Sequence, residues 1–138
     1  MADANDYNQR IIAEFRANGG KLGGEWEGYH LLLLHSTGAK TGRHRVNPVG
    51  YRHDGDRYVV LGSNGGAPAH PDWYHNLRAN PHVTVEVGSE RFDARARVAA
   101  DDERDRLWRE FKKEIPVLAD YEQKTSRQIP VVVLERVA

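Results

Sequence analysis

Two turns of two residues each constrain this chain more than any other feature. Asp54-Gly55 separates the extended runs 45–51 and 57–62, and Gly88-Ser89 separates 82–87 from the run carrying Phe92, Ala94, Ala96 and Val98. Gly at such turns reaches the positive φ that tight hairpins need, and strands joined by two residues have to run antiparallel. In the second hairpin Asp93, Arg95 and Arg97 alternate with the apolar residues, as in a strand with one buried face. Leu31, Leu32, Leu33 and Leu34 form a continuous apolar run, the pattern of a strand buried on both faces. Residues 129–135 read as a last strand, and Pro48 removes one ladder donor from its own.

Helical periodicity fills the remainder. Tyr7, Ile11, Ile12 and Phe15 predict an amphipathic helix over 6–18, with Asp6 as N-cap and Gly19-Gly20 as stop. A short helix over 71–79 places Pro71 at its first position and ends at Asn80-Pro81. Asp101 caps a charged helix whose buried face is Leu107, Trp108, Phe111 and Ile115, and a further helical segment runs from Pro116 to Tyr121. The order is α-β-β-β-α-β-β-α-α-β, without regular βαβ alternation. It predicts a mainly β (α+β) fold: a six-stranded antiparallel barrel with short flanking helices, the closed solution that leaves no exposed edge. Residues 1–21 are expected to form an N-terminal amphipathic helix or lid, and 22–138 the barrel domain.

Composition removes several classes of function. The 138 residues carry 20 Lys plus Arg against 20 Asp plus Glu, so the chain lacks the basic excess of a general nucleic-acid binder. Cys is 0, which excludes disulfides, thiolate metal sites and cysteine nucleophiles. His30 and His35 are five apart, as are His70 and His75, a gap that suits no single helix face, so no metal site is expected. No Gly-x-Ser-x-Gly elbow points to a serine hydrolase. The acidic, polar start and the four-residue aliphatic run lead to the expectation of a cytoplasmic protein, with peripheral membrane contact through the first helix as the alternative.

Against this neutral background one segment stands out. Thr37-Gly38-Ala39-Lys40-Thr41-Gly42-Arg43-His44-Arg45 is Gly-rich and basic, and between Ser36 and His53 there are four Lys/Arg and no carboxylate. Backbone N–H groups freed by glycine, together with cations, suit a phosphate or a polycarboxylate. A P-loop is excluded, because no Gly precedes Lys40 and the segment leads into a strand. Leu61-Gly62-Ser63-Asn64-Gly65-Gly66 ends a strand on glycines that let a flat ring lie against backbone. In 71–81, Trp73 and Leu77 are expected to face the core, and Asn76 either meets a ligand or caps a neighbouring loop. An anion site beside a ring site, with no evident acid, base or nucleophile, is the signature of cofactor-driven chemistry.

These segments, in this order, resemble the deazaflavin-dependent nitroreductase and quinone reductase family. The matching pieces are 36–42, Arg45-Val46-Asn47-Pro48, Asp54-Gly55-Asp56-Arg57, Ser63-Asn64-Gly65-Gly66, 71–81, Tyr121 and Ile129-Pro130. The resemblance implies a split β-barrel of the FMN-binding type that uses coenzyme F420, a reduced 8-hydroxy-5-deazaflavin, to deliver a hydride to a quinone such as menaquinone or to a nitroaromatic. It implies that Lys40, Thr41, Gly42 and Arg45 hold the cofactor phosphate and the start of its polyglutamyl tail. Asn47, Pro48 and the backbone of Leu61, Gly62, Ser63, Asn64, Gly65 and Gly66 would line the ring, with Trp73 and Asn76 supporting that wall. Ser63 and Tyr121 are the implied donors to the acceptor oxygen. The chain departs from the family's nitroreductases at Asn64, where Lys is common, and at 115–121, where a single Tyr replaces several. These departures weigh against prodrug nitroreduction and leave cofactor binding and quinone reduction less affected. A non-catalytic coenzyme F420 binder and an FMN-dependent split-barrel enzyme are the competing readings, and the family allows a monomer or a homodimer.

Overall fold

Both hairpins form where the turns predict them, the second on Gly88-Ser89 and the first one residue later than expected, on Gly55-Asp56 with Asp54 paired to Arg57. A computed structural model describes residues 4–23, 30–63 and 69–137. Strand β2 (His44–Asp54) turns at Gly55, φ 64°, into β3 (Arg57–Leu61), and β4 (His82–Val87) turns at Gly88, φ 59°, into β5 (Glu90–Val98). With β1 (Leu31–Thr37) and β6 (Val131–Arg136) these make a closed antiparallel barrel in the order β1-β2-β3-β6-β5-β4. β1 closes the ring by pairing with both β2 and β4, so no strand keeps a free edge.

The continuous apolar runs are explained by two different coverings. Leu32 and Leu34 point into the barrel with Val60, Val85, Val132 and Leu134, while Leu33 points outward and packs under helix α1 (Ala4–Ala17) with Ile12, Phe15 and Val46. In β6 the same alternation sends Val132 and Leu134 inward and Val131 and Val133 outward, beneath α3 (Asp101–Glu114) and α4 (Val117–Lys124). A strand covered by a barrel core on one side and by a helix on the other has no polar face to alternate. Helix α2 (Asp72–Ala79) inserts Trp73 and Leu77 into the barrel cluster, as their spacing predicted, and Tyr74 joins them there.

Several element ends differ from expectation. α1 begins at Ala4, so Asp6 lies inside the helix and does not cap it. Pro71 is the residue before α2, extended at ψ 152°, not its first helical position. Asp101 is not the cap of α3 either: Ala100 holds that place, and Asp101 is the first helical residue with φ 53°. The acidic first turn of α3 then serves ion pairs as well as the helix dipole, since Glu103 binds Arg97 at 2.6 Å and Arg57 at 3.4 Å. Ile11, Ile12 and Phe15 of α1 are buried on the barrel, and Arg16 of α1 pairs with Glu86 of β4 at 2.8 Å. These apolar residues are therefore spent on the barrel and not presented to a membrane surface; the Tyr7 side chain lies outside the described residues. No described helix is long and apolar enough to cross a membrane.

Candidate functional site

The basic glycine segment forms a self-closed loop between β1 and β2. Gly38 N–H donates to Arg43 O at 2.7 Å, Gly42 N–H to Gly38 O at 2.9 Å, and Arg43 N–H to Thr41 Oγ1 at 3.2 Å. Gly42 is at φ 69°, and a Cβ on Gly38 would meet Thr41 Oγ1 at 2.7 Å, so both glycines are required by the turn itself. Asn76 of α2 settles the choice left open by the sequence. Its Oδ1 accepts the Ala39 N–H at 2.9 Å, so it braces the loop, and it also lines the adjoining cleft.

That cleft has a volume of about 450 Å³ and is lined by Gly38, Ala39, Lys40, Thr41, Arg45, Asn47, Asp72, His75 and Asn76. Five of the expected binding residues thus meet in one place: Lys40, Thr41, Arg45, Asn47 and Asn76. Strand alternation puts Arg45 and Asn47 on the cleft side of β2. Among the described residues, no carboxylate pairs with Lys40, Arg43 or Arg45. Cations held on a rigid loop without internal counter-ions fit a phosphate or carboxylate ligand. The Asp72 carboxylate, in the first turn of α2, is the opposing charge on the far wall.

Other expected residues fall elsewhere. Gly42 shapes the loop without lining the cleft. Pro48 pairs with Leu33, whose side chain faces α1, so the Pro48 ring points away from Asn47. The Leu61 and Tyr121 side chains pack in the outer cluster with Ile115 and α3, and the Lys124 ammonium lies 5.9 Å from the Tyr121 ring centre. Neither lines the cation cleft, and neither do Gly62 and Ser63, which follow Leu61. Gly62 is buried, and its N–H donates to Pro130 O at 2.9 Å. Trp73 is buried in the barrel cluster and does not line the cleft. Asn64, Gly65 and Gly66 lie outside the described residues.

The structure adds groups that local sequence does not advertise. Asp72 and His75 join the cleft only because α2 docks with that face outward. Arg127, in the link between α4 and β6, donates to Gly62 O at 3.0 Å and Ser63 O at 2.8 Å. On the outer face of the β1–β2 ladder, buried His35 contacts Glu86 at 2.5 Å and His44 at 2.7 Å. Burial holds His35 below the ordinary histidine value, while the Arg16 and His35 hydrogen bonds hold the Glu86 carboxyl at about 2. With Glu86 ionised, the network assigns His35 a proton on Nε2 and makes its Nδ1 the acceptor of His44 Nε2–H. No signal at the level of sequence spacing joins residues 35, 44 and 86; the barrel register does.

Comparison with known proteins accords with this geometry. Residues 8–136 match the family of F420H(2)-dependent quinone reductases. The chain belongs to that family. An F420H(2)-dependent quinone reductase of Mycobacterium tuberculosis, Rv1261c, is 42% identical over 128 residues, covering 90% of this chain and 86% of the relative. The solved structure of an F420-H2 dependent reductase, FDR-A, superposes with a TM-score of 0.70 at 38% identity, over 76% of this chain and 93% of that one. A second solved chain, described as a domain-swapped dimer, gives a TM-score of 0.73 at 32% identity, over 96% of this chain and 100% of its own. The family and the barrel expected from the sequence are therefore both found.

Proposed function

We propose that this protein is a coenzyme F420-dependent oxidoreductase that reduces a quinone. The observation that carries the reading is the closed, Asn76-braced loop, which presents Lys40 and Arg45, paired with no described carboxylate, to a cleft they share with Asp72. That donor set fits a phosphate followed by carboxylates, the chemistry of the cofactor's phosphate and polyglutamyl tail. When bound, the reduced deazaflavin supplies a hydride. The chain's residues do the rest by position. Lys40, Thr41 and Arg45 hold the anionic part, and Gly42 shapes the loop that presents them. Asn47 and the backbone of Leu61, Gly62 and Ser63, with Asn64, Gly65 and Gly66, would line the ring. Trp73 stiffens the wall from behind.

Net addition of a hydride and one proton converts a quinone to its quinol, so a group is needed to orient or protonate a quinone oxygen. Ser63 is the side chain assigned to orient or protonate that oxygen, since Tyr121 packs in the outer cluster with Ile115 and α3. The lone tyrosine and Asn64 favour a quinone over a nitroaromatic acceptor. The domain-swapped relative supports a homodimer over a monomer.

The test is a fluorescence titration with coenzyme F420, with FMN in parallel, followed by turnover with a menaquinone analogue. Deazaflavin binding with quinone-dependent oxidation is the expected result. Binding without oxidation by any quinone would leave a cofactor carrier, and FMN binding alone would overturn the cofactor.

A further inference from the structure

One guanidinium brackets the start and the end of the segment that the proposed reading assigns to the ring. Arg127 Nη1 donates to Gly62 O at 3.0 Å and Nη2 to Ser63 O at 2.8 Å, both just before positions 64–68. Just after them, His70 Nδ1 lies 2.9 Å from Arg127 Nη1. Arginine has no acceptor, so His70 Nδ1 must accept, and its ring must be neutral with its proton on Nε2. Gly62 is pinned a second time: its N–H is bound by Pro130 O at 2.9 Å, and a Cβ there would lie 2.6 Å from Pro130 Cγ. The bracket also touches the cation cleft, because the His70 ring stands 4.6 Å from Tyr74 and 5.8 Å from His75, which lines the cleft.

A planar trans peptide points its N–H opposite to its C=O. With Gly62 O held toward Arg127, the Ser63 N–H is turned to the other side of the chain. Two successive carbonyls drawn to one side also end the β3 ladder at this point. Lysine could not reproduce this, since its single ammonium nitrogen lacks the planar fork that spans separate acceptors.

We infer that Arg127 is a positioning residue for the deazaflavin wall: its fork fixes the Gly62 and Ser63 peptides against neutral His70, and cofactor binding weakens when His70 takes a proton. The inference rests on the F420 reading of the site. Among the described residues, the groups facing His70 are Arg127, His75, Arg78 and Tyr74, and none of these is a carboxylate. A proton on His70 therefore meets Arg127 with no anion among them to offset it, and the bracket opens at its far end. Burial together with the Arg127, His75 and Arg78 charges keeps the His70 pKa below its ordinary value.

The experiment compares the pH dependence of coenzyme F420 binding, by fluorescence, in the full-length wild type, Arg127→Ala, Arg127→Lys and His70→Gln. Any titration of the cofactor is common to all four chains and cancels in the comparison. Arg127→Ala is expected to bind about tenfold more weakly at pH 7.5, to regain affinity in added guanidinium, and to gain little from Arg127→Lys. His70→Gln can still accept from Arg127 but cannot titrate, so it should bind like wild type at pH 7.5 and lose the wild type's fall in affinity as the pH is lowered below about 6.5. Wild-type affinity and pH profile in Arg127→Ala, or an unchanged profile in His70→Gln, overturns the inference. If Arg127→Ala does not fold, the His70→Gln profile decides alone. If the wild type binds no coenzyme F420 at all, the reading of the site fails, and the inference fails with it.

Discussion

Replacing Asn76 separates the stability of the anion loop from its ability to hold a ligand. Asn76 is 9% exposed on α2, and its Oδ1 takes the Ala39 N–H at 2.9 Å. Removing the acceptor of a neutral hydrogen bond costs about 1 kcal/mol where the orphaned donor can reach water, and up to ~3 where it cannot. Ala39 is exposed, so the lower end applies. At about 4 °C per kcal/mol for a domain of this size, Asn76→Ala should lower Tm by roughly 4 °C. Ligand binding should suffer more specifically. An unbraced loop must be ordered by the ligand, and fixing a single residue's backbone costs about 1–2 kcal/mol. Since about 1.4 kcal/mol is tenfold in Kd, coenzyme F420 should bind roughly tenfold more weakly. Asn76→Asp sharpens the test. It keeps the acceptor, so Tm should barely move, but it sets a second carboxylate beside Asp72 in a cleft built for an anion, and affinity should fall further than in Asn76→Ala. Thermal melts and fluorescence titrations of the two variants provide both readouts. A lower Tm in Asn76→Ala with unchanged Kd in both variants would refute the assignment of this hydrogen bond to an anion site.

Lys40→Ala and Arg45→Ala should each weaken coenzyme F420 by about 1.5–3 kcal/mol, the range of a charge-assisted hydrogen bond, with little change in Tm; unchanged affinity in both would remove the basic loop from the site. Glu86→Gln should destabilise the fold by roughly 2–3 kcal/mol at pH 7, converting the fall of Glu86 from its usual 4.5 to about 2 and discounting for an Arg16 partner that is 49% exposed. Because the folded value is depressed, this stabilisation is complete above the unfolded value and lost as the pH drops through about 2, so urea midpoints of the two chains should converge below about pH 4.5. A constant gap down to pH 3 would place the effect in packing. Gly62→Ala forces its methyl to 2.6 Å from the Pro130 ring, which has no flexible end to yield, and should cost about 1–3 kcal/mol in chemical denaturation.

Most of the architecture was legible because hairpins are local. Asp54-Gly55 and Gly88-Ser89 carry their turn chemistry within two residues, and the strands they join follow from alternation. The ends of elements were less legible. Asp6 and Asp101 have the right side chain for a cap, yet α1 runs past the one, and the other sits inside its helix at positive φ, because packing of the helix body sets where the chain enters. In the site, Lys40, Thr41 and Arg45 could be read from a run of cations among glycines, since their function depends on near neighbours. Pro48 and Tyr121 could not be placed, because a side chain's face depends on what covers each side of its strand or helix.

The amino-acid sequence by itself determined a six-stranded antiparallel fold, a basic glycine loop between its first two strands and the family to which the chain belongs. These depend on turn conformations, on periodicity and on short motifs, all of which act over a few residues. Only the tertiary structure decided that Asn76 ties α2 to that loop 37 residues away, that Arg16, Glu86, His35 and His44 form one chain of contacts, and that Arg127 grips Gly62, Ser63 and His70. Each of these joins residues whose separation along the chain carries no spacing signal. Their meeting is fixed by closure of the barrel, which sets every register at once, and by the docking of helices and loops against it.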